Sequence, residues 1–385
     1  MSMAPAPQQH ARDRRPLAII AGIFGVLWIL GLLLSPRDAL AGYLGAYLFW
    51  LSLSLGSLAM LMLHHLVGGR WAAIARRPWE AAARQVPLLA VGALPIVLGM
   101  GLLFPWVHGH DPLYATKAGY LNVPFFVVRA MLYFVCWWGL AELLQRASDA
   151  QDANPDPALQ MRMATISGPG IVVFGFTASF AAIDWIGGLV PNWYSTIFGM
   201  LMAASFITAG TAYATVALAV FRREPPYAAV LSWQPLNDLG NVLLACVMGW
   251  AYLAFSQYLI IWAGDISLEA SFFVQRVRNG WSIFGSLLAL THFFAPFLLL
   301  LSREYKRSPV LLGWIGVLVL LGEAIHDWWL VVPSFEASPL YLPWASVLAF
   351  VGFGAAWLWG CHRALFARPL LPPHSPQLEG ARHVG

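Results

Sequence analysis

The feature that most constrains the fold is a series of long apolar stretches that recurs along the whole chain. A helix needs about 20 mostly apolar residues to cross a bilayer. The stretches that meet this requirement are residues 17–35, 43–67, 86–105, 124–145, 166–186, 194–221, 239–263, 280–301, 310–332 and 343–365. The sequence therefore predicts an all-α integral membrane protein with ten transmembrane helices.

The composition supports this class of protein. Charged residues make up 10% of the 385 residues and hydrophobic residues make up 59%, whereas a soluble domain carries about 25% charged residues. The 19 tryptophans fit a membrane protein, since indole rings favour the headgroup level of the bilayer. The net charge of +4 follows the topology and does not indicate a nucleic-acid partner.

The distribution of basic residues predicts the orientation of the chain. If the N-terminus is cytoplasmic, nearly all Lys and Arg residues lie in inner segments, and the outer loops hold only Arg37, Lys117, Arg276 and Arg278. This asymmetry follows the positive-inside rule. It predicts a multi-pass protein of the bacterial cytoplasmic (inner) membrane, with both termini cytoplasmic.

The predicted organisation is one membrane domain with two short tails. Residues 1–15 are a cytoplasmic tail, residues 16–366 form a single ten-helix domain, and residues 367–385 form a proline-rich cytoplasmic tail that is expected to be extended or disordered. The inner segment "GGRWAAIARRPWEAAARQ" has two interpretations. It is either an amphipathic helix on the lipid headgroups, with its arginines meeting anionic lipid, or a plain basic loop.

Ionisable residues within the predicted helices are the candidate functional residues, because charges in hydrocarbon are rare and often functional. Glu323, His326 and Asp327 have i, i+3 and i+4 spacing, so they share one face of the ninth helix. Further candidates are Arg129, Asp184 and His292. We predict either a wet, proton-exchanging cavity open to the outside, with Asp184 and Arg129 within reach of the ninth helix, or structural ion pairs that hold the helices in register.

The sequence predicts no bound cofactor. The three cysteines, Cys136, Cys246 and Cys361, lie singly and lack the spacing of iron–sulfur or c-type haem sites. Axial ligands of a b-type haem must lie at similar depth, whereas His292 and His326 are expected about two helical turns apart in depth. We therefore expect neither a haem site nor a metal site.

Several segments resemble the ActF-type membrane subunit of alternative complex III, which is related to NrfD-like membrane proteins. The segments are "YLNVPFFVVRAMLYF", "SGPGIVVFGFTASFAAIDWIGGLVPNWYSTIFG", "LNDLGNVLLACVMGWAYLAFSQYLIIWAGDI", "HFFAPFLLLLSREYKR" and "WWLVVPSF". The resemblance is strongest over residues 110–335. Two departures stand out: Asn241 occupies a position where lysine is common, and Glu323 and His326 replace an arginine and an aspartate.

The resemblance implies a membrane subunit of a quinol-oxidising respiratory complex. The fold would be two four-helix bundles, formed by helices two to five and six to nine and flanked by helices one and ten. The partners would be membrane lipid, a sister ten-helix membrane subunit, an iron–sulfur subunit and haem c subunits. Menaquinol or ubiquinol would be the substrate of the complex, with no redox centre in this subunit. A proton pathway is implied, and the matching positions are Asp184, Arg129, Tyr194 and Gln257.

Three other functions remain open at the level of sequence. The chain could be a quinol-binding subunit with its own site near Asp184 and His326, or a scaffold without a proton role. A secondary transporter is the third alternative. It would be expected to show interrupted helices in matching halves of the chain, and no such pair is evident in the sequence.

Overall fold

The structure, a computed structural model, describes residues 15–109, 116–335, 344–375 and 377–378. In these ranges there is no β-strand, and ten helices are long and apolar enough to cross a membrane. We label them in order α1 to α10: Arg15–Leu34, Pro36–Val67, Arg70–Leu98, Val123–Ala153, Pro157–Leu189, Phe198–Phe221, Trp233–Gly264, Trp281–Leu301, Pro309–Ser334 and Trp344–Phe366. The protein is an all-α integral membrane protein, as its sequence predicts.

Eight of the ten helices form two neighbouring four-helix bundles. The first bundle contains α2, α3, α4 and α5, and the second contains α6, α7, α8 and α9. The two remaining helices, α1 and α10, pack against each other and against α2. This arrangement matches the one expected from the resemblance, and α2 and α6 form the seam between the bundles.

The seam depends on two glycines that let the α2 and α6 backbones touch. A Cβ atom on Gly56 would lie 1.6 Å from the carbonyl oxygen of Phe206, and one on Gly210 would lie 2.3 Å from the carbonyl carbon of Gly56. Trp79 of α3 donates a hydrogen bond to the carbonyl of Gly210 at 2.9 Å. Small residues are typical where membrane helices approach closely, because contact there depends on packing rather than on excluding water.

The basic segment at the start of α3 differs from both interpretations of its sequence. It forms the helix Arg70–Ala83, and this helix is buried in the protein, with Arg76 and Arg77 each only 2% exposed. Glu80 pairs with Arg76 at 2.8 Å and with Arg77 at 2.5 Å, and Ser148 of α4 donates to the same carboxylate. The arginines therefore bind partners inside the protein rather than anionic lipid, because α4 supplies hydrogen bonds that local sequence does not reveal.

The described part of the proline-rich tail packs against the helices. Arg368 forms ion pairs with Glu80 and Asp149, and Leu370 and Leu371 are buried. The remaining positions of this tail lie outside the described residues.

Several helix bounds also differ from the prediction. The second helix begins at Pro36 rather than at residue 43, and the seventh begins at Trp233 rather than at residue 239. The predicted third helix, 86–105, contains three short helices, Val86–Gly92, Leu94–Leu98 and Met100–Leu103. An additional helix, Ser267–Val277, lies between α7 and α8 and was not predicted.

Candidate functional site

The helix that carries the candidate site, α9, is fixed at both ends. Ser308 caps its first turn by accepting a hydrogen bond from the backbone N–H of Leu311, and Pro309 occupies the first helical position, where its missing N–H costs nothing. At the other end, Arg276 donates to the carbonyls of Trp329 and Leu330. A cation at this end also interacts favourably with the helix dipole. The sequence assigned Arg276 to an outer loop, yet the structure buries it completely.

Four titratable side chains meet inside the second bundle, and we call them the α9 cluster: Glu323, His326, Asp327 and His292. The three from α9 share one helical face as predicted, and they are 0%, 2% and 0% exposed respectively. One ligand atom from each of these three lies within 4.8 Å of those of the other two. His292 Nε2 lies 3.7 Å from Glu323 Oε2, and His326 Nδ1 lies 4.0 Å from the same oxygen.

A break in the regular geometry of α8 carries His292. Residues Ala289–Phe294 form a π-helical turn, a feature that is frequent at functional sites. Pro296 follows it, and its ring nitrogen has no hydrogen to donate to the carbonyl of His292 four residues earlier. Gly322 leaves room for this histidine, since a Cβ atom there would lie 2.8 Å from His292 Cβ.

Ser205 of α6 connects the imidazole of His326 to the carboxylate of Glu323. Its hydroxyl donates to Glu323 Oε2 at 2.7 Å and lies 3.1 Å from His326 Nδ1. Trp250 of α7 covers both histidines, with ring centroids 4.3 Å from His292 and 5.4 Å from His326. Sequence reasoning missed Ser205 and Trp250. Ser205 extends the polar face of α6 that continues at Thr208, and this spacing was the available signal.

The cluster contains buried polar atoms that the described residues do not satisfy. Both carboxylate oxygens of Asp327, together with Glu323 Oε1 and His292 Nε2, are buried without a hydrogen-bond partner among the described residues. In this part of the chain, neither carboxylate forms an ion pair with Lys or Arg. Burial of an unmatched anion is very costly, so these two acids must hold protons or a bound cation.

The predicted difference in depth between His292 and His326 is wrong. Their ring centroids are only 6.2 Å apart, and both rings present a nitrogen to the same carboxylate oxygen. The estimate assumed straight, parallel helices with uniform rise. The π turn in α8 departs from that uniform rise, so the assumption does not hold.

A cavity of about 810 Å³ lies beside the cluster, between α7, α8, α9 and the helix Ser267–Val277. His326, Trp250 and Gln257 line it. Gln257, a predicted site residue, is 3% exposed, and its Oε1 atom has no hydrogen-bond partner. Tyr252 and Phe255 line the same cavity and are 71% and 63% exposed, so the cavity opens onto the apolar outer surface of the bundle.

The other predicted pair, Arg129 and Asp184, lies in the first bundle and is fully matched. Arg129 donates to both carboxylate oxygens of Asp184 at 2.9 and 2.8 Å, and Tyr133 donates a third hydrogen bond at 2.8 Å. Arg129 also donates to the carbonyl of Tyr120 and lies over its ring, 3.8 Å from the centroid. Charge and hydrogen bonds are balanced within this pair, which is the arrangement expected of a structural ion pair.

The structure does not join the Arg129–Asp184 pair to the α9 cluster. Among the described residues, no hydrogen bond or ion pair links one group to the other. Tyr194, the remaining predicted site residue, belongs to neither group. It is 56% exposed, and Lys117 lies over its ring at 5.6 Å.

The resemblance led us to expect a lysine at position 241, where this chain has Asn241. Lys306, from another segment, places its ammonium group beside this asparagine. Lys306, in the short helix Arg303–Arg307, donates to Asn241 Oδ1 at 2.7 Å. Burial, together with the nearby Arg303 charge, lowers the pKa of Lys306 from its ordinary value. A basic group is therefore present at this position although the local sequence lacks one.

Comparison with known proteins adds no family assignment. The chain matches no protein-family model and no curated protein. The functional proposals below are therefore supported by the geometry of the α9 cluster and the cavity, and by the motifs that resemble the alternative complex III subunit.

Proposed function

We propose that this chain is a membrane subunit of a quinol-oxidising respiratory complex of the alternative complex III type, and that the α9 cluster transfers protons. The complex lies in the bacterial cytoplasmic membrane, with both termini of this subunit cytoplasmic. Its partners are a sister ten-helix subunit, an iron–sulfur subunit and haem c subunits, and menaquinol or ubiquinol is the substrate. This subunit itself holds no redox cofactor.

The observation that carries the proton role is the chain of contacts from His326 through Ser205 to Glu323. Distances of 3.1 Å and 2.7 Å allow a proton to pass from the imidazole to the hydroxyl and from the hydroxyl to the carboxylate. His292 Nε2 lies 3.7 Å beyond, close enough to exchange a proton with Glu323 after a small side-chain movement. The cluster can therefore hold a proton at more than one atom.

The contrast between the two bundles supports assigning proton transfer to the second bundle alone. In the first bundle, Arg129 neutralises Asp184 through two direct hydrogen bonds, so this carboxylate has no need of a proton. In the second bundle, Glu323 and Asp327 have no described cationic neighbour other than histidine, so bound protons can balance their charge. Groups whose charge depends on bound protons are the groups that can relay them.

The cavity indicates the direction of exchange. His326 contacts the cavity near the C-terminal end of α9, which is the outer side in the proposed orientation. Towards the other side, Thr208, Thr211 and Thr215 of α6 are buried, but their hydroxyls donate to carbonyls of their own helix. They form no continuous chain from the cluster, so we propose that the cluster exchanges protons with the cavity side.

The replacement Glu323→Gln in the assembled complex tests this proposal. The variant keeps the side-chain shape but removes the titratable group, so the complex should assemble and oxidise quinol while proton release in membrane vesicles slows or changes its pH dependence. The matched control is Glu142→Gln, which alters an exposed glutamate on α4 that pairs with Arg146. This control should leave proton release unchanged.

The opposite pattern contradicts the proton role. If Glu323→Gln prevents assembly while the surviving complex releases protons normally, the cluster is a structural element. Normal assembly with normal proton release at every pH would lead to the same rejection of a proton pathway through Glu323.

Quinol binding by this subunit is the second candidate, and the cavity favours it. The cavity is lined mainly by aliphatic and aromatic side chains, it opens to the apolar surface, and it contains His326 and the unpartnered amide oxygen of Gln257 as polar contacts for a quinol head group. A photoreactive quinone analogue should label cavity residues on α7 or α8, and Gln257→Leu should reduce this labelling. Absence of labelling at saturating analogue would argue against this site.

A further inference from the structure

We propose that Glu323, His326 and Asp327 form a binding site for a divalent transition-metal ion of the Zn²⁺ type. The sequence-based expectation of no metal site rested on separations estimated from straight helices, and the structure replaces those estimates with side-chain distances. This inference does not rest on proton transfer, because the site is defined by its donor atoms and its charge.

The donor set suits such an ion in identity and in spacing. Imidazole nitrogen and carboxylate oxygen are both donors that zinc accepts. The three ligand atoms lie within 4.8 Å of one another, and donors around a tetrahedral Zn²⁺ are roughly 3.4 Å apart when the bonds are about 2.1 Å long. All three residues lie on one face of a single helix, so small side-chain rotations bring the donors to that separation.

The unsatisfied atoms of the cluster provide an independent argument for a bound cation. Asp327 is 0% exposed, yet neither of its carboxylate oxygens has a hydrogen-bond partner, and Glu323 Oε1 also lacks one among the described residues. A dication would neutralise both carboxylates and supply the missing contacts. Among the described residues of the second bundle, no arginine or lysine pairs with these carboxylates in the way that Arg129 pairs with Asp184.

The surrounding residues supply what a metal site requires beyond its first three ligands. Ser205 contacts both Glu323 and His326 and would orient them, as outer hydrogen-bond partners do in metal sites. His292 Nε2, 3.7 Å from Glu323 Oε2, can complete a tetrahedral set. The cavity reaches His326, so this ligand lies at the edge of an open space rather than in close-packed protein.

A bound ion would occupy the same atoms that hold protons in the proposed relay. Zn²⁺ would therefore act as an inhibitor of proton exchange at this cluster and would compete with protons for Glu323 and Asp327. Binding of the metal can be measured without any proton assay, so failure of one proposal can be distinguished from failure of the other.

The test is metal binding by the full chain, purified in detergent without a histidine tag and together with any subunits that copurify. After treatment with a chelator, the protein is titrated with Co²⁺, whose visible absorption reports tetrahedral coordination, and with Zn²⁺ in competition. We expect one ion per chain. Asp327→Asn and His326→Gln should each abolish stoichiometric binding, and Ser205→Ala should weaken it by about tenfold or more.

The control is His108→Gln, which removes an exposed histidine outside the cluster and should leave binding unchanged. Wild-type protein that binds no stoichiometric metal overturns the proposal, as does full binding by Asp327→Asn and His326→Gln. If these two variants do not fold, the wild-type titration and the milder Ser205→Ala variant decide the question. Unaltered affinity in Ser205→Ala would then count against this site.

Discussion

The Arg129–Asp184 pair allows a quantitative test of the structural role assigned to the first bundle. Asp184→Asn keeps the shape of the side chain, but its amide group can accept from Arg129 through only one oxygen. The side chains of Arg129 and Asp184 are 7% and 1% exposed, so water cannot replace the lost contact or screen the remaining charge. Breaking one partner of a buried ion pair costs about 3–5 kcal/mol.

This free-energy change corresponds to a measurable shift in melting temperature. With an unfolding entropy of roughly 2.1 cal/mol/K per residue, a loss of about 4 kcal/mol lowers the melting temperature of a chain of this length by about 5 °C. Unfolding in detergent can be followed with a thiol-reactive dye, because Cys361 is only 4% exposed in the folded protein. Proton release by the assembled complex should not change in this variant.

The double variant Arg129→Gln with Asp184→Asn provides the decisive comparison. It removes both charges, so its loss of stability should be smaller than the sum of the two single losses by roughly 1–3 kcal/mol. Strictly additive losses, or a shift below about 1 °C in Asp184→Asn, would refute the view that this pair is a structural ion pair. Altered proton release with normal stability would instead return Asp184 to the proton pathway.

Three further predictions follow from packing, capping and topology. Gly56→Ala should prevent stable folding, because the new Cβ would lie 1.6 Å from a backbone oxygen of α6. Gly168→Ala should be tolerated, because no atom lies within 4 Å of its new Cβ. The yield of monodisperse protein measures both effects. Arg276→Gln should destabilise the protein by about 2–5 kcal/mol in thermal unfolding, because carbonyls at the end of α9 lose their charged donor. The control Arg278→Gln changes an exposed arginine and should have little effect. In a variant without native cysteines, an impermeant thiol reagent should label Ala118→Cys in intact spheroplasts but label Glu304→Cys only after lysis; the reverse pattern would invert the proposed orientation.

The topology test uses introduced cysteines because the structure shows that native lysines are poor probes. Lys306 is only 7% exposed and hydrogen-bonds to Asn241, so its failure to react would reflect burial as well as sidedness. Exposed positions on either side of the bundles avoid this ambiguity.

The number of spanning helices and the ionisable face of α9 could be predicted from the sequence. Each spanning helix depends on a local property, namely about 20 consecutive residues apolar enough for hydrocarbon. The shared face of Glu323, His326 and Asp327 depends only on the periodicity of a helix. These properties do not require knowledge of the neighbouring helices, so they survive in the structure.

The partners of those residues were decided by tertiary structure alone. The π turn in α8 and the close contact at Gly322 bring His292 beside Glu323 and His326, and neither feature can be read from the sequence of α9. The burial of Arg76 against Glu80 and α4 could not be predicted from the sequence either, because Ser148 of α4 comes from a distant segment. Sequence periodicity fixes the face on which a polar group lies. The atoms that satisfy or fail to satisfy that group come from segments distant in the chain, so only the packed bundle determines whether it becomes a matched ion pair or a cluster with unpartnered atoms.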